Sequence, residues 1–106
     1  MPETSQMAVL GDSTRRRIFE FLSSRPSSVG ELAKKLPVTR SAVSQHLGVL
    51  KEAGLVAHRA AGTKHVYHID PEGLAKLRSY LDGLWEASLK EFKMAAEQSG
   101  KKKKKP

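Results

Sequence analysis

Two short amphipathic helices separated by a four-residue turn constrain the fold of this chain more than any other feature. Ser28 and Glu31 have the spacing of a capping box, so they predict the start of the first helix. Thr39 predicts the start of the second helix, and Gly54 follows its end, where glycine readily adopts a left-handed conformation. Because only residues 36–39 separate them, the two helices must cross at a steep angle, which is typical of a helix-turn-helix unit.

The apolar period changes from helical to strand-like directly after this pair of helices. Segments 55–60 and 64–69 alternate as β-strands do, and Gly62 provides the positive φ that the turn between them needs. A short helix over 6–10, a second helix after it and a long last helix from Pro71 account for the rest. We therefore predict a mainly α fold with five helices and a small two-stranded β-hairpin.

Composition limits the partners and the chemistry of the chain. The 106 residues are enough for one domain, which we predict over 1–98, followed by a disordered lysine-rich tail over 99–106. Five of the eight net positive charges belong to Lys101–Lys105, so the remaining +3 favours an anionic partner only modestly. The absence of cysteine excludes disulfides, thiolate catalysis and Cys-based metal sites. Without a long apolar run or a secretory signal, we expect a soluble cytoplasmic protein with no membrane partner.

The second helix of the pair, over 40–53, has an outer face without formal charge. This face consists of Ser41, Ser44, Gln45 and Gly48. Solvated helix faces usually carry Lys and Glu, whereas a face that enters the DNA major groove needs short side chains and groups that read base edges. Arg40 at the start of the helix and His46 beside the face are then placed to bind phosphates. The pattern predicts double-stranded DNA as the partner; the alternative is an ordinary amphipathic helix with a mild surface.

Three segments together resemble the ArsR/SmtB family of bacterial winged-helix repressors. They are ELAKKL (31–36), TRSAVSQHLGVLKEAGLV (39–56) and a Gly-tipped hairpin that ends in VYHID (66–70). The segment GDSTRRRIFEFL (11–22) also resembles the start of the family, with Ser13 where a proline often stands. The resemblance covers roughly residues 6–92. It implies a dimeric winged helix, in which the first and last helices form the dimer interface and the hairpin over 55–69 is a wing that contacts DNA.

The hairpin tip and the last helix each allow two interpretations. Arg59, Thr63 and Lys64 give the tip a basic surface that suits a phosphate or a narrow minor groove, although a solubilising tip would look the same. The last helix carries a stripe of large apolar residues, weakened somewhat by Gly73 and Gly83, that could complete the core of one chain. We instead predict a homodimer, because two half-sites need two copies. The predicted interface residues are Met7, Leu10, Leu77, Leu81, Leu84 and Trp85.

The residues that bind metals in many members of this family have no counterpart here. Ala33 and Lys35 stand where those members carry two cysteines, and no histidine follows His68 on the last helix. His65 and His68 are three apart on a strand, so they face opposite ways and cannot chelate one ion together. We therefore predict no metal and no cofactor.

The sequence contains no arrangement typical of an enzyme. Ser44 and His46 are two apart on a helix and do not face each other, and no glycine-rich phosphate loop is present. The predicted function is a sequence-specific DNA-binding repressor that binds a palindromic operator as a homodimer. The alternative is a winged-helix module that binds protein or RNA and has no operator of its own. The sequence does not reveal the operator, the regulated genes, the inducing signal or the contribution of the lysine tail to DNA binding.

Overall fold

The structure is a computed structural model that describes the backbone of residues 3–104 and the side chains of residues 6–99. Within this part of the chain, five α-helices and three β-strands are present. In chain order they are α1 (Glu3–Val9), α2 (Ser13–Ser24), β1 (Ser27–Ser28), α3 (Val29–Lys35), α4 (Arg40–Glu52), β2 (Val56–Ala61), β3 (Lys64–Ile69) and α5 (Pro71–Lys104). The predicted winged helix-turn-helix architecture, mainly α with a small hairpin, is confirmed.

The starts of α2, α3 and α4 are fixed by the capping residues. Asp12 accepts a backbone N–H of α2 at 2.9 Å. Ser28 and Glu31 form the reciprocal capping box, with bonds of 2.9 and 3.2 Å, and the N–H of Ser28 holds the pKa of Glu31 below its usual value. Thr39 accepts a backbone N–H at the start of α4, and Gly54 follows that helix with a φ of +77°. The turn between α3 and α4 therefore spans residues 36–39, as the sequence predicts.

The sheet has one more strand than the sequence predicts. Strands β2 and β3 pair antiparallel along all six residues, and Gly62 in the turn has a φ of +66°. Strand β1 pairs with the other edge of β3, with Ser27 opposite Tyr67 and Ser28 opposite Val66, so the strand order is β1-β3-β2. The predicted two-stranded hairpin is present, but the third strand was not predicted, because a two-residue strand is too short to show an alternating pattern.

The core lies between α2, α3, α4 and the start of the hairpin. Its buried apolar residues are Ile18, Leu22, Leu32, Leu36, Val43, Leu47, Leu50, Ala53, Leu55, Val56 and Leu77. Leu77 was predicted at a dimer interface, but it packs into the core of its own chain and is only 6% exposed. That prediction is corrected, because so little of Leu77 is left for a partner to cover. Leu10 is half-buried and also packs against this core.

Gln6 is the buried residue of α1 among those whose side chains the structure describes, with 2% of its surface exposed. Its Nε2 donates to the carbonyl oxygens of Ala53, at the end of α4, and of Gly73, in α5. The backbone of α5 also packs directly on Gly54, two residues after the end of α4. A Cβ at Gly73 would lie 1.6 Å from the carbonyl oxygen of Gly54. The first helix, the start of the last helix and the end of α4 therefore meet at one joint.

Helix α5 extends past residue 98, where the sequence predicts the end of the folded domain. Its backbone is helical as far as Lys104, within the segment 99–106 for which the sequence predicts a disordered tail. Lysine is a good helix former, which accounts for this difference. The side chains of 100–106 lie outside the described residues. Among the helices of the described residues, α5 included, none is long and apolar enough to cross a membrane.

Candidate nucleic-acid interface

The outer face of α4 is open to solvent and uncharged. Ser41, Ser44, Gln45 and Gly48 are all exposed. A Cβ added to Gly48 would meet no atom within 4 Å, so the described part of the chain leaves this position uncovered. The buried residues of α4 lie on its opposite face, as the helical period predicts. This geometry lets α4 approach a nucleic acid with hydrogen-bond donors and acceptors on the approaching face. The only carboxylate of the helix is that of Glu52, its last residue.

The start of α4 and the hairpin tip share one concave surface. Arg40, Thr63 and Lys64 line a concavity of about 700 Å³ between α3, the start of α4 and the sheet. Lys34 of α3 contributes a further positive charge to the same surface. The structure thus brings together residues that were predicted from two separate segments. Arg59 is exposed on β2 and does not line this concavity.

A glycine of α3 gives Arg40 its position. A Cβ added to Gly30 would lie 3.2 Å from a terminal guanidinium nitrogen of Arg40, which therefore rests directly over the backbone of α3. A side chain at Gly30 would make this contact tighter than usual, so the guanidinium would have to shift slightly. This contact was not predictable from local sequence patterns, because it joins two helices across the turn.

His46 is half-buried and lies beside Arg15 of α2. The Nε of Arg15 donates to the carbonyl oxygen of Val9 at 2.9 Å, and its Nη1 lies 3.4 Å from Nδ1 of His46. Because a guanidinium can only donate, Nδ1 of His46 is the acceptor and the neutral ring carries its proton on Nε2. The backbone N–H of Arg15, together with its charge, also lowers the pKa of Asp12. Arg15 was not predicted as part of this site, because its contact with His46 spans 31 positions.

The wing histidines pair across the hairpin. Nδ1 of His58 lies 3.1 Å from Nδ1 of His65, and Nζ of Lys51 lies 2.9 Å from Nε2 of His58. Since an ammonium only donates, His58 accepts from Lys51 and donates from Nδ1 to His65. Burial, and then the charge of Lys51, lower the pKa of His58. His68 instead contacts the carbonyl oxygen of Ile69. A cluster of three or more His, Asp or Glu able to hold a metal ion is absent from the described residues.

A stripe of large apolar side chains is exposed along α5, and Met7 is exposed on α1; we call this set the α5 apolar surface. It consists of Met7, Leu74, Leu81, Leu84, Trp85, Leu89 and Phe92, each 41–70% exposed. Large groups of exposed apolar side chains usually mark an interaction site. Four of the six predicted interface residues, Met7, Leu81, Leu84 and Trp85, belong to this surface.

Comparison with known proteins relates this fold to a group of regulators. Residues 10–59 match a family model described as a helix-turn-helix domain. The HTH-type transcriptional regulator Rv2034 of Mycobacterium tuberculosis is 53% identical over 91 residues, which are 86% of this chain and 85% of that protein. The structure of an ArsR-like transcriptional regulator from Rhodococcus sp. RHA1 has a TM-score of 0.73 and 32% identity, with 89% of this chain and 92% of that chain covered.

A second similar structure is the homodimeric winged helix-turn-helix DNA-binding domain of Mb0332 from Mycobacterium bovis. It has a TM-score of 0.65 and 25% identity, and the match covers 83% of this chain and 82% of that chain. The fold and the open face of α4 together define a winged helix-turn-helix protein of the DNA-binding type. The chain belongs to the ArsR-type family of winged helix-turn-helix transcriptional regulators, a family of DNA-binding proteins and not of enzymes.

Proposed function

We propose that this protein is a sequence-specific repressor that binds a palindromic operator as a homodimer and responds to no metal. The observation that carries this proposal is the exposed, uncharged face of α4 beside a basic concavity. A bound dimer represses by occupying the operator. The wing and the start of α4 hold the DNA backbone, while α4 reads the bases.

Each residue of the interface has a chemical role that follows from its donors and acceptors. Gln45 can form two hydrogen bonds with one adenine, and Ser41 and Ser44 can bond several bases. Gly48 keeps the helix close to the groove. Arg40, Arg59, Thr63 and Lys64 bind phosphates, and His46 donates to a phosphate from Nε2. These roles support a division between residues that read sequence and residues that hold the backbone.

The α5 apolar surface supports the homodimer. A second copy would cover the exposed side chains of α1 and α5 and present two copies of α4 to successive turns of the major groove. The homodimeric structure of Mb0332 supports the same assembly.

Gln45→Ala and Ser44→Ala are expected to weaken operator binding by about 1–3 kcal/mol, or roughly 5- to 150-fold, and to leave scrambled DNA almost unaffected. The probe is the tightest duplex selected from a random library, compared with a scrambled duplex by gel shift at several salt concentrations. Gln98→Ala, the same substitution at an exposed position of α5, is the matched control. Equal losses on both duplexes would show that α4 does not read the bases. Selection of no preferred duplex would contradict the proposed function itself.

One equivalent of Zn²⁺ or arsenite is expected to change operator affinity by less than about twofold. The chain has no cysteine, and the described residues hold no cluster of three metal ligands. Operator affinity measured with the ion and again after EDTA or excess dithiol gives the comparison. A tenfold loss that the chelator reverses, about 1.4 kcal/mol of coupling, would contradict metal independence.

A further inference from the structure

We infer that Gln6 is a positioning residue that fixes α4 relative to the dimer interface and so sets the spacing of half-sites that the dimer accepts. The inference rests on the proposed homodimer. It concerns the joint between α1, the end of α4 and the start of α5, and none of its residues contacts DNA in the proposed function.

One buried amide joins three helices at this place. Nε2 of Gln6 lies 3.1 Å from the carbonyl oxygen of Ala53 and 3.3 Å from that of Gly73. An amide nitrogen carries two donor hydrogens, so it can bond both carbonyls at once. Ala53 is the residue directly after α4, Gly73 lies in the first turn of α5, and Gln6 itself belongs to α1. The end of α4 is therefore tied to both helices that carry the α5 apolar surface.

Backbone contacts make the same joint stiff. The backbone at Gly73 is so close to the carbonyl group of Gly54 that no side chain fits between them. The N–H of Asp70 also donates to the carbonyl oxygen of Leu55 at 2.9 Å. These backbone contacts hold the start of α5 against the end of α4, and the two bonds of Gln6 bind α1, the other helix of the proposed dimer interface, to the same place.

The chemistry at Gln6 also argues for a role beyond packing. Its Oε1 is buried and has no hydrogen-bond partner among the described residues. A buried acceptor without a partner is destabilising, and an apolar side chain of the same size would avoid that loss. The amide at this position therefore contributes mainly through its two donated bonds, which link the helices.

Adjacent positions on α1 and α5 face different neighbours. Met7 and Leu74 are exposed on the α5 apolar surface, whereas Gln6 and Gly73, one residue before each, contact the end of α4. The partner copy and the recognition helix are thus held by the same two helices. A stiff joint holds the two copies of α4 at one separation. The dimer then binds best to DNA whose half-sites have the matching spacing, about 34–36 Å or one helical turn.

The test measures this separation directly in the free full-length dimer. The chain has no native cysteine, so Gly48→Cys provides a single labelling site on α4, at a position with open space around it. Spin labels at this site report the distance between the two copies of α4 by pulsed dipolar spectroscopy. Three labelled proteins are compared. The first has no further substitution, and the second carries Gln6→Met, which keeps the side-chain volume and loses both hydrogen bonds. The third carries Ile18→Val, a change in the core that leaves the joint intact.

Unlabelled proteins without the cysteine substitution are then tested on the selected duplex with zero, one or two base pairs inserted between its half-sites. The parent protein and Ile18→Val should give one narrow distance distribution and lose at least about tenfold in affinity per inserted base pair. Gln6→Met should give a broad distance distribution and lose less than about threefold in affinity per inserted base pair. It should still select the same half-site sequence.

A Gln6→Met dimer with the parent's narrow distribution and spacing preference would overturn the inference. If Gln6→Met does not fold, Gln6→Ala gives the same comparison, because water from the adjoining cavity of about 220 Å³ can reach the freed carbonyls. Absence of any dipolar coupling in the otherwise unchanged protein would instead show a monomer. That result overturns the proposed homodimer together with this inference. An unchanged narrow distribution in Gln6→Met, in contrast, overturns the inference alone.

Discussion

Gly73→Ala is expected to destabilise the protein by about 3 kcal/mol or more, although alanine is the better helix former. The new Cβ would lie 1.6 Å from the carbonyl oxygen of Gly54 and 2.7 Å from its carbonyl carbon. Both atoms belong to the backbone, so they cannot rotate away. Helix α5 would have to move off the end of α4, and the bond from Gln6 to Gly73 would be lost with it.

Gly83→Ala is the matched control for this substitution. Gly83 lies in the same helix, and a Cβ added there meets no atom within 4 Å. Alanine at this position should therefore stabilise the protein by about 0.5–1 kcal/mol, as in any exposed helix interior. Urea unfolding followed by circular dichroism, at one fixed protein concentration, measures both changes. Two changes of the same sign would contradict the close contact between α5 and the end of α4.

These two glycines show where sequence analysis reaches its limit. In the sequence both look like weak points of one helix, because propensity depends only on residue type and neighbours. The caps at Asp12, Ser28 and Thr39 were predictable for the same reason, since each bonds a backbone group three residues away. A contact between Gly73 and the end of α4 leaves no local signal. The joint therefore became visible only in the folded chain.

The candidate site likewise has some features that local sequence predicts and others that depend on tertiary packing. The outer face of α4 was predictable, because the helical period separates Ser44 and Gln45 from the buried stripe within one segment. The concavity that joins Arg40 to Lys64 depends on how the hairpin folds back toward α3. The contact of Arg15 with His46 depends on the packing of α2 against α4. The residues proposed to read DNA were thus predictable from the sequence, whereas the contacts that hold the neighbouring side chains in place were not.

Leu84→Asp is expected to produce a folded monomer that has lost tight operator binding. In the single chain Leu84 is 48% exposed, so a carboxylate there stays in water and leaves the core intact. In the proposed dimer both copies of the carboxylate would be buried against apolar side chains, at a cost of several kcal/mol. The dimer should weaken by at least about 100-fold, and operator affinity should fall with it, because each copy of α4 then binds alone.

Two control variants separate this effect from general damage. Leu77→Asp places the same carboxylate in the core of one chain, where Leu77 is 6% exposed, and should unfold the protein instead. Ser79→Asp adds the charge at an exposed position on the side of α5 away from the α5 apolar surface, and should leave a tight dimer. Sedimentation gives the mass of each variant and circular dichroism its folding. A Leu84→Asp protein that stays dimeric and tight on the operator would place the interface elsewhere, because no dimer of this fold can bury that carboxylate without loss.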